Sequence, residues 1–194
     1  KWETAKTTDI GIELGFFNND LTLSLDYFVK KNVDLLAQID LNLSSGQIFE
    51  INSSREKPYV NTASVKNTGW EFMMNYRKQL TKDFHIDATF NIATLKNKVL
   101  SLGENVQPIT SGAMSSYFND AASITMPGEA IGSFYGYKID GFDAEGNFIF
   151  ADMDKNGVVN ANDKVILGSP IPDFTYGLNI NMEYKDFDLT LFFQ

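Results

Sequence analysis

The chain has no cysteine and a single histidine among its 194 residues. Disulfide scaffolds, Cys-based zinc sites and thiol nucleophiles are thereby excluded. His85 lacks the partners that a transition-metal site or a Ser-His-Asp triad needs. Basic residues are also outnumbered: 16 Lys and Arg stand against 25 Asp and Glu, a net charge of -9, with no basic cluster along the chain. Such a surface repels a phosphate backbone, so nucleic acid is not an expected partner. No apolar run approaches the roughly 18 residues of a membrane helix, but a closed β-barrel crosses a bilayer without one. There is no Gly-rich phosphate loop with its Lys and no nucleophile elbow, so the chain is not expected to be an enzyme.

What the chain does have is alternation. From Pro172, every second residue reads Pro172, Phe174, Tyr176, Leu178, Ile180, Met182, Tyr184, against Asp173, Thr175, Gly177, Asn179, Asn181, Glu183. After Lys185-Asp186 the pattern restarts, with Phe187, Leu189, Leu191, Phe193 opposing Asp188, Thr190, Gln194 and the one apolar exception, Phe192. Side chains of a strand alternate between faces, so each run is a strand with one apolar and one wet face. Strands of soluble domains average about five or six residues, whereas a tilted membrane strand takes roughly nine to eleven. The run from Asp173 to Tyr184 has the membrane length, with aromatics at both ends as in interfacial girdles. The alternative on this stretch alone is a half-buried hairpin of a soluble sandwich.

The same pattern recurs upstream. Thr8, Ile10, Ile12, Leu14, Phe16 oppose Asp9, Gly11, Glu13, Gly15, and after the turn Phe17-Asn18-Asn19-Asp20 come Leu21, Leu23, Leu25, Tyr27, Val29. From Lys66, Thr68, Trp70, Phe72, Met74, Tyr76 line one face; after a turn at Leu80 to Asp83, Phe84, Ile86, Ala88, Phe90, Ile92 line the next. His85 falls on the wet side. The turns are short at 17–20, 80–83 and 185–186, while the connections at about 35–65 and 98–171 are long, and the two kinds alternate. That sorting is the pattern of outer-membrane barrels, with short periplasmic turns and long extracellular loops. The fold expected is all-β: an antiparallel transmembrane β-barrel segment, with 98–171 an extracellular excursion containing short strands at Ile131 to Ile139 and Gly146 to Phe150. Lys1 is not an initiator and Gln194 falls within a strand, so a partial barrel is expected.

One stretch has the spacing of a site. Asp152, Asp154, Asn156, Val158 through its carbonyl, Asn160 and Asp163 occupy positions 1, 3, 5, 7, 9 and 12 of a calcium loop, with Gly157 at the sharp bend of position 6. Hard cations favour such oxygens, so Ca2+ in a structural role is the cofactor expected. Asp163 replaces the longer Glu of an EF-hand, and the flanks Phe148-Ile149-Phe150 and Lys164-Val165-Ile166-Leu167 read as β rather than helix. The alternative is an Asp/Asn turn capped by its own side chains. Phe134, Tyr135 and Tyr137 offer a stacking surface for substrate, or else pack locally. Asp140, Asp143 and Glu145 form a solvated turn, with nothing that sets the carboxylate separation of a glycosidase.

These segments together resemble the SusC/RagA family of TonB-dependent outer-membrane transporters. The resemblance rests on Lys1-Trp2-Glu3, Gly15-Phe16-Phe17-Asn18-Asn19, Asp26-Tyr27-Phe28, Val65-Lys66-Asn67-Thr68-Gly69-Trp70-Glu71, Asn97-Lys98-Val99, Gly132-Ser133-Phe134-Tyr135-Gly136-Tyr137, the calcium-like loop and Ile166 to Gly177. It covers the whole chain, in order. It implies part of the C-terminal half of a plugged barrel of about 22 strands, importing glycans, oligosaccharides or peptides. It further implies a SusD-like surface lipoprotein as partner, the TonB complex reached through an N-terminal part absent here, and outer-membrane lipid around the wall. A different class stays open beside it: a calcium-stabilised soluble β-rich module for surface binding or adhesion.

Overall fold

The structure is a computed structural model, and it describes residues 2–38, 59–103, 106–113 and 121–194. The described residues form strands β1 (Thr4–Phe16), β2 (Leu21–Gln38), β3 (Tyr59–Thr81), β4 (Phe84–Thr94), β5 (Lys96–Ser101), β6 (Ile109–Ala113) and β7 (Ala121–Thr125). They continue with β8 (Ser133–Tyr137), β9 (Ile139–Phe142), β10 (Phe148–Phe150), β11 (Lys164–Gly168), β12 (Phe174–Tyr184) and β13 (Phe187–Phe193). The chain divides into two compact units. One takes in Lys1–Thr4, Asn32–Val65 and Lys98–Ile171; the other takes in Ala5–Lys31, Lys66–Asn97 and Pro172–Gln194.

The largest sheet runs β1-β2-β3-β4-β12-β13, with β5 also pairing to β3. The alternating pattern sets its register. Met74, Phe90, Leu178 and Phe193 are cross-strand partners along β3, β4, β12 and β13, and so are Tyr76, Ala88, Ile180 and Leu191 on the same face. Aromatic contacts lie on that face, Tyr27 with Trp70 at 4.7 Å and Phe84 edge-on to Tyr184 at 6.3 Å between centroids. The opposite face is tied by polar pairs: Arg77 to Asp87 at 2.7 Å, Thr89 Oγ1 donating to Asn75 Oδ1 at 2.9 Å, and Thr190 Oγ1 donating to Asn181 Oδ1 at 2.8 Å. Such cross-strand pairs stabilise a sheet locally.

What the sheet unit lacks is an interior. Among its described residues only Gly69 and Gly177 are buried. Large apolar side chains stay open instead, Ile10 at 68% and Phe187 at 77% exposure being the extremes of the row pattern. A water-soluble sandwich buries one face of each strand under a second sheet; these strands present theirs to the surroundings. The turns are tight. Asn18 and Asn19 take φ of 55° and 68°, as Asn tolerates, but Phe17 shares the left-handed region at 56°, which its side chain alone does not favour.

The other unit has a small core of Ala63, Val65, Val99 and Leu102, with Leu35 and Val106 packed against it. Its remaining sheets are the four-stranded β11-β8-β7-β6 and the hairpin β9–β10. The fold differs here from the alternation reading. The stretch 35–65, read as a loop excursion, is strand at both ends, since β2 reaches Gln38 and β3 begins at Tyr59; the intervening 39–58 lie outside the described residues. The pattern fails because Ala63 and Val65 are buried beside the neutral, small Asn61, Thr62 and Ser64. Strand pairing through the backbone does not require a wet face to alternate with them.

Candidate metal centre

The loop between β10 and β11 is built by side-chain oxygens folding back on their own backbone. Asp152 accepts from Asn156 N at 3.2 Å through Oδ1 and from Gly157 N at 2.7 Å through Oδ2. Asp154 accepts from Asn156 N at 3.1 Å and Asn156 Nδ2 at 2.9 Å, and Asn156 Oδ1 accepts from Val158 N at 2.8 Å. Each short polar side chain thus caps the backbone two to five residues on, the property that brings Asp and Asn into turns. Gly157 sits at φ 86°, a conformation open to Gly and strained for most other residues.

The far end closes with a 3-10 turn, Ala161–Asp163, started by Asn160. Asn160 Oδ1 accepts from Asn162 N at 2.9 Å, and Asp163 Oδ2 accepts from Asn160 N at 2.7 Å, a reciprocal capping box. Asp163 Oδ1 also accepts from Met153 N at 2.8 Å and Asp154 N at 3.3 Å. Its side chain is fully buried. The Asn160 N–H, with those of Asp154 and Met153, holds its carboxyl below the ordinary carboxylate range against the opposing effect of burial.

These bonds bring one carboxylate oxygen each from Asp152, Asp154 and Asp163 within 4.8 Å of one another. The donor set is oxygen only, the choice of Ca2+ or Mg2+ rather than of softer metals. Three carboxylates at that separation repel, and a divalent cation relieves the repulsion. The site departs from an EF-hand at Asp163, whose Oδ1 already accepts two N–H groups, so its bidentate role is taken up by the backbone. The Val158 carbonyl also accepts from Asn160 Nδ2 at 3.1 Å. A second lone pair remains on Asp163 Oδ2, on the Asp152 and Asp154 carboxylate oxygens and on the Val158 carbonyl, each of which accepts one bond, and the residues fit a hard cation.

The other sequence candidates are sorted by strand geometry. Phe134 is half exposed and alternates to the opposite side of β8 from Tyr135 and Tyr137, so the three do not share a stacking surface. Lys164 Nζ lies over the rings of Tyr135 and Tyr137, 6.0 and 5.3 Å from their centroids. A chain of rings escaped the sequence reading: Tyr137 to Phe150, Phe150 to Phe148, and Phe148 to Phe142, at 5.6, 6.3 and 5.3 Å. Its signal was Phe148 and Phe150 two apart, beyond the turn from Phe142. Asp143 caps that turn, accepting from Asn147 N at 2.7 Å, Asn147 Nδ2 at 2.9 Å and Glu145 N at 3.0 Å. His85 lies on β4 between Gln79 and Glu183 on the wet face.

A family model described as "TonB dependent receptor-like, beta-barrel" matches residues 1–194. The chain belongs to the TonB-dependent receptor-like β-barrel family. It is 37% identical over 210 residues to TonB-dependent receptor P3 of Formosa agariphila, covering 100% of this chain and 20% of that protein. It is 30% identical over 204 residues to TonB-dependent receptor SusC of Bacteroides thetaiotaomicron, covering 98% of this chain and 19% of that one. The chain therefore spans about a fifth of the length of these relatives. Among solved structures its fold is similar to the RagAB peptide importer in the open-open state, with a TM-score of 0.78 at 21% identity over 99% of this chain and 20% of that one. TonB-dependent receptors of this family are β-barrels of the outer membrane, which accounts for a sheet whose apolar rows are exposed or part-exposed among the described residues.

Proposed function

We propose that the chain supplies part of the wall and the extracellular loops of an outer-membrane importer energised through TonB. Its cargo class is oligosaccharide or peptide, and its loop side meets a SusD-like surface lipoprotein. The carrying observation is the sheet unit, where the apolar rows of long strands are exposed or part-exposed throughout and only two glycines are buried. Hydrocarbon is the neighbour that makes such rows favourable. Similarity to the RagAB peptide importer supports the peptide class, and similarity to SusC and RagAB supports the lipoprotein. The soluble adhesion module would need a second sheet over Leu21, Leu23, Leu25 and over Phe174, Tyr176, Leu178, and these residues are part-exposed or exposed.

In this reading Asp152, Asp154, Asn156, the Val158 carbonyl, Asn160 and Asp163 hold Ca2+ as a structural staple in the long loop. The ion would supply charge neutralisation only. This chain's own residues shape the turn, and the capping box of Asn160 and Asp163 feeds the backbone into β11.

These 194 residues hold no cysteine, so single cysteines placed in them report topology once any cysteine elsewhere in the full-length protein is replaced. In cells carrying the full-length protein, Glu145→Cys, at the exposed β9–β10 turn, should react with a membrane-impermeant maleimide from outside. Asp83→Cys and Asp186→Cys, in the short turns, should react only after the outer membrane is permeabilised. The reverse pattern, or labelling of all three in intact cells, overturns the reading.

A further inference from the structure

We propose that Asn156–Gly157 is a site of spontaneous deamidation that the Asp152 carboxylate holds in check. It is the one place in the chain where Asn precedes Gly. Asn156 is exposed, and nothing lies within 4 Å of where a Cβ on Gly157 would stand. Gly157 thus has no side chain to crowd ring closure, and the space a Cβ would fill is open.

The reaction needs only water and base. The Gly157 N–H loses its proton, and the nitrogen attacks Cγ of Asn156 to form a new C–N bond. The Cγ–Nδ2 bond breaks, and Nδ2 leaves as ammonia after taking up a proton. Water then opens the cyclic imide at either carbonyl, giving aspartate or isoaspartate. The balance is one water in and one ammonia out, with no oxidation or reduction.

Two features of the loop restrain this chemistry. The Gly157 N–H donates to Asp152 Oδ2 at 2.7 Å, so removing its proton would create an anion against an existing carboxylate, which like charges disfavour. The Asn156 amide is also held at both ends, Oδ1 by Val158 N and Nδ2 by Asp154 Oδ2, and must release these bonds to reach the tetrahedral intermediate. Opening of the loop removes both restraints together. Either product adds a carboxylate beside Asp152 and Asp154. Isoaspartate also inserts a methylene into the backbone, which displaces the bond from Val158 N. Deamidation thus records, irreversibly, how often the loop has opened.

The test uses the full-length protein in detergent at mildly alkaline pH, with chelator in every arm so that the outcome is independent of calcium binding. Trypsin cleavage after Lys155 and Lys164 releases residues 156–164 for mass spectrometry. Asp152→Asn, which removes the charge and one of the two accepting oxygens at nearly unchanged size, should accumulate deamidated peptide at least about threefold faster than wild type. Asp154→Ala, which frees Nδ2 but leaves Asp152 in place, should fall between them, and denatured wild type should react faster than folded wild type. Equal rates in wild type and Asp152→Asn overturn the proposal. So does equal reactivity of folded and denatured protein, or the absence of modification at Asn156 when denatured.

Discussion

Ile180→Arg tests most directly what surrounds the sheet. Ile180 sits on β12 with Ala88 and Leu191 as cross-strand partners. At roughly 3.4 Å per residue and a tilt near 45°, each residue advances about 2.4 Å along the membrane normal. The 11 residues of β12 then cover about 24 Å, close to the ~25 Å apolar band of outer-membrane barrels. Ile180 lies about 10 Å inside the nearer boundary, close to the midplane. An arginine there costs about 2 to 3 kcal/mol, roughly a 30- to 160-fold fall in the folded-to-unfolded ratio. The matched control is Asn91→Arg, on the wet face and opposite Gly177. Asn91 is exposed, so this change should stay within about 0.5 kcal/mol. Urea unfolding of the full-length protein refolded into lipid vesicles measures both. If Asn91→Arg is as damaging as Ile180→Arg, or if Ile180→Arg is silent, hydrocarbon does not bathe this face and the argument fails.

Gly69→Ala should destabilise the sheet by about 1 to 3 kcal/mol, read as a lower melting temperature in the same vesicles. A Cβ there meets the Thr94 carbonyl, which is backbone, as well as the Phe28 ring at 2.7 Å, so Phe28→Ala should not rescue it. Calcium at about 10 mM should stabilise the loop by roughly 1.4 to 2.7 kcal/mol if its dissociation constant lies between about 0.1 and 1 mM. Asp152→Ala should abolish that gain, and an identical melting temperature of the full-length protein with calcium or chelator would refute it. Asn147 side-chain and backbone N–H groups lower the Asp143 carboxyl below its ordinary value. A depressed folded-state value means stability that is present above the unfolded value and lost as pH falls through the folded one. The turn at 143–147 should therefore loosen below about pH 4, seen as a shift of the Asn147 amide resonance. Asp143→Asn should flatten that titration.

Much of this protein is written in its local alternation. The rows Phe174 to Tyr184 and Phe187 to Phe193 announce two strands, their wet faces and the turn between them, because a strand's side chains must alternate whatever lies beyond. The spacing of side-chain oxygens from Asp152 to Asp163 is equally local, since most of them serve backbone groups within a few residues. Other features depend on segments distant in sequence. Pairing of β4 with β12 across some 80 residues leaves no mark at either strand alone. Val99 is fully buried, yet nothing beside it distinguishes it from Val29, which is not. The third carboxylate of the loop is buried because Met153, Asp154 and Asn160 turn their N–H groups onto Asp163. That convergence follows from the folded path of the chain, whereas spacing fixes only which atoms are available to converge.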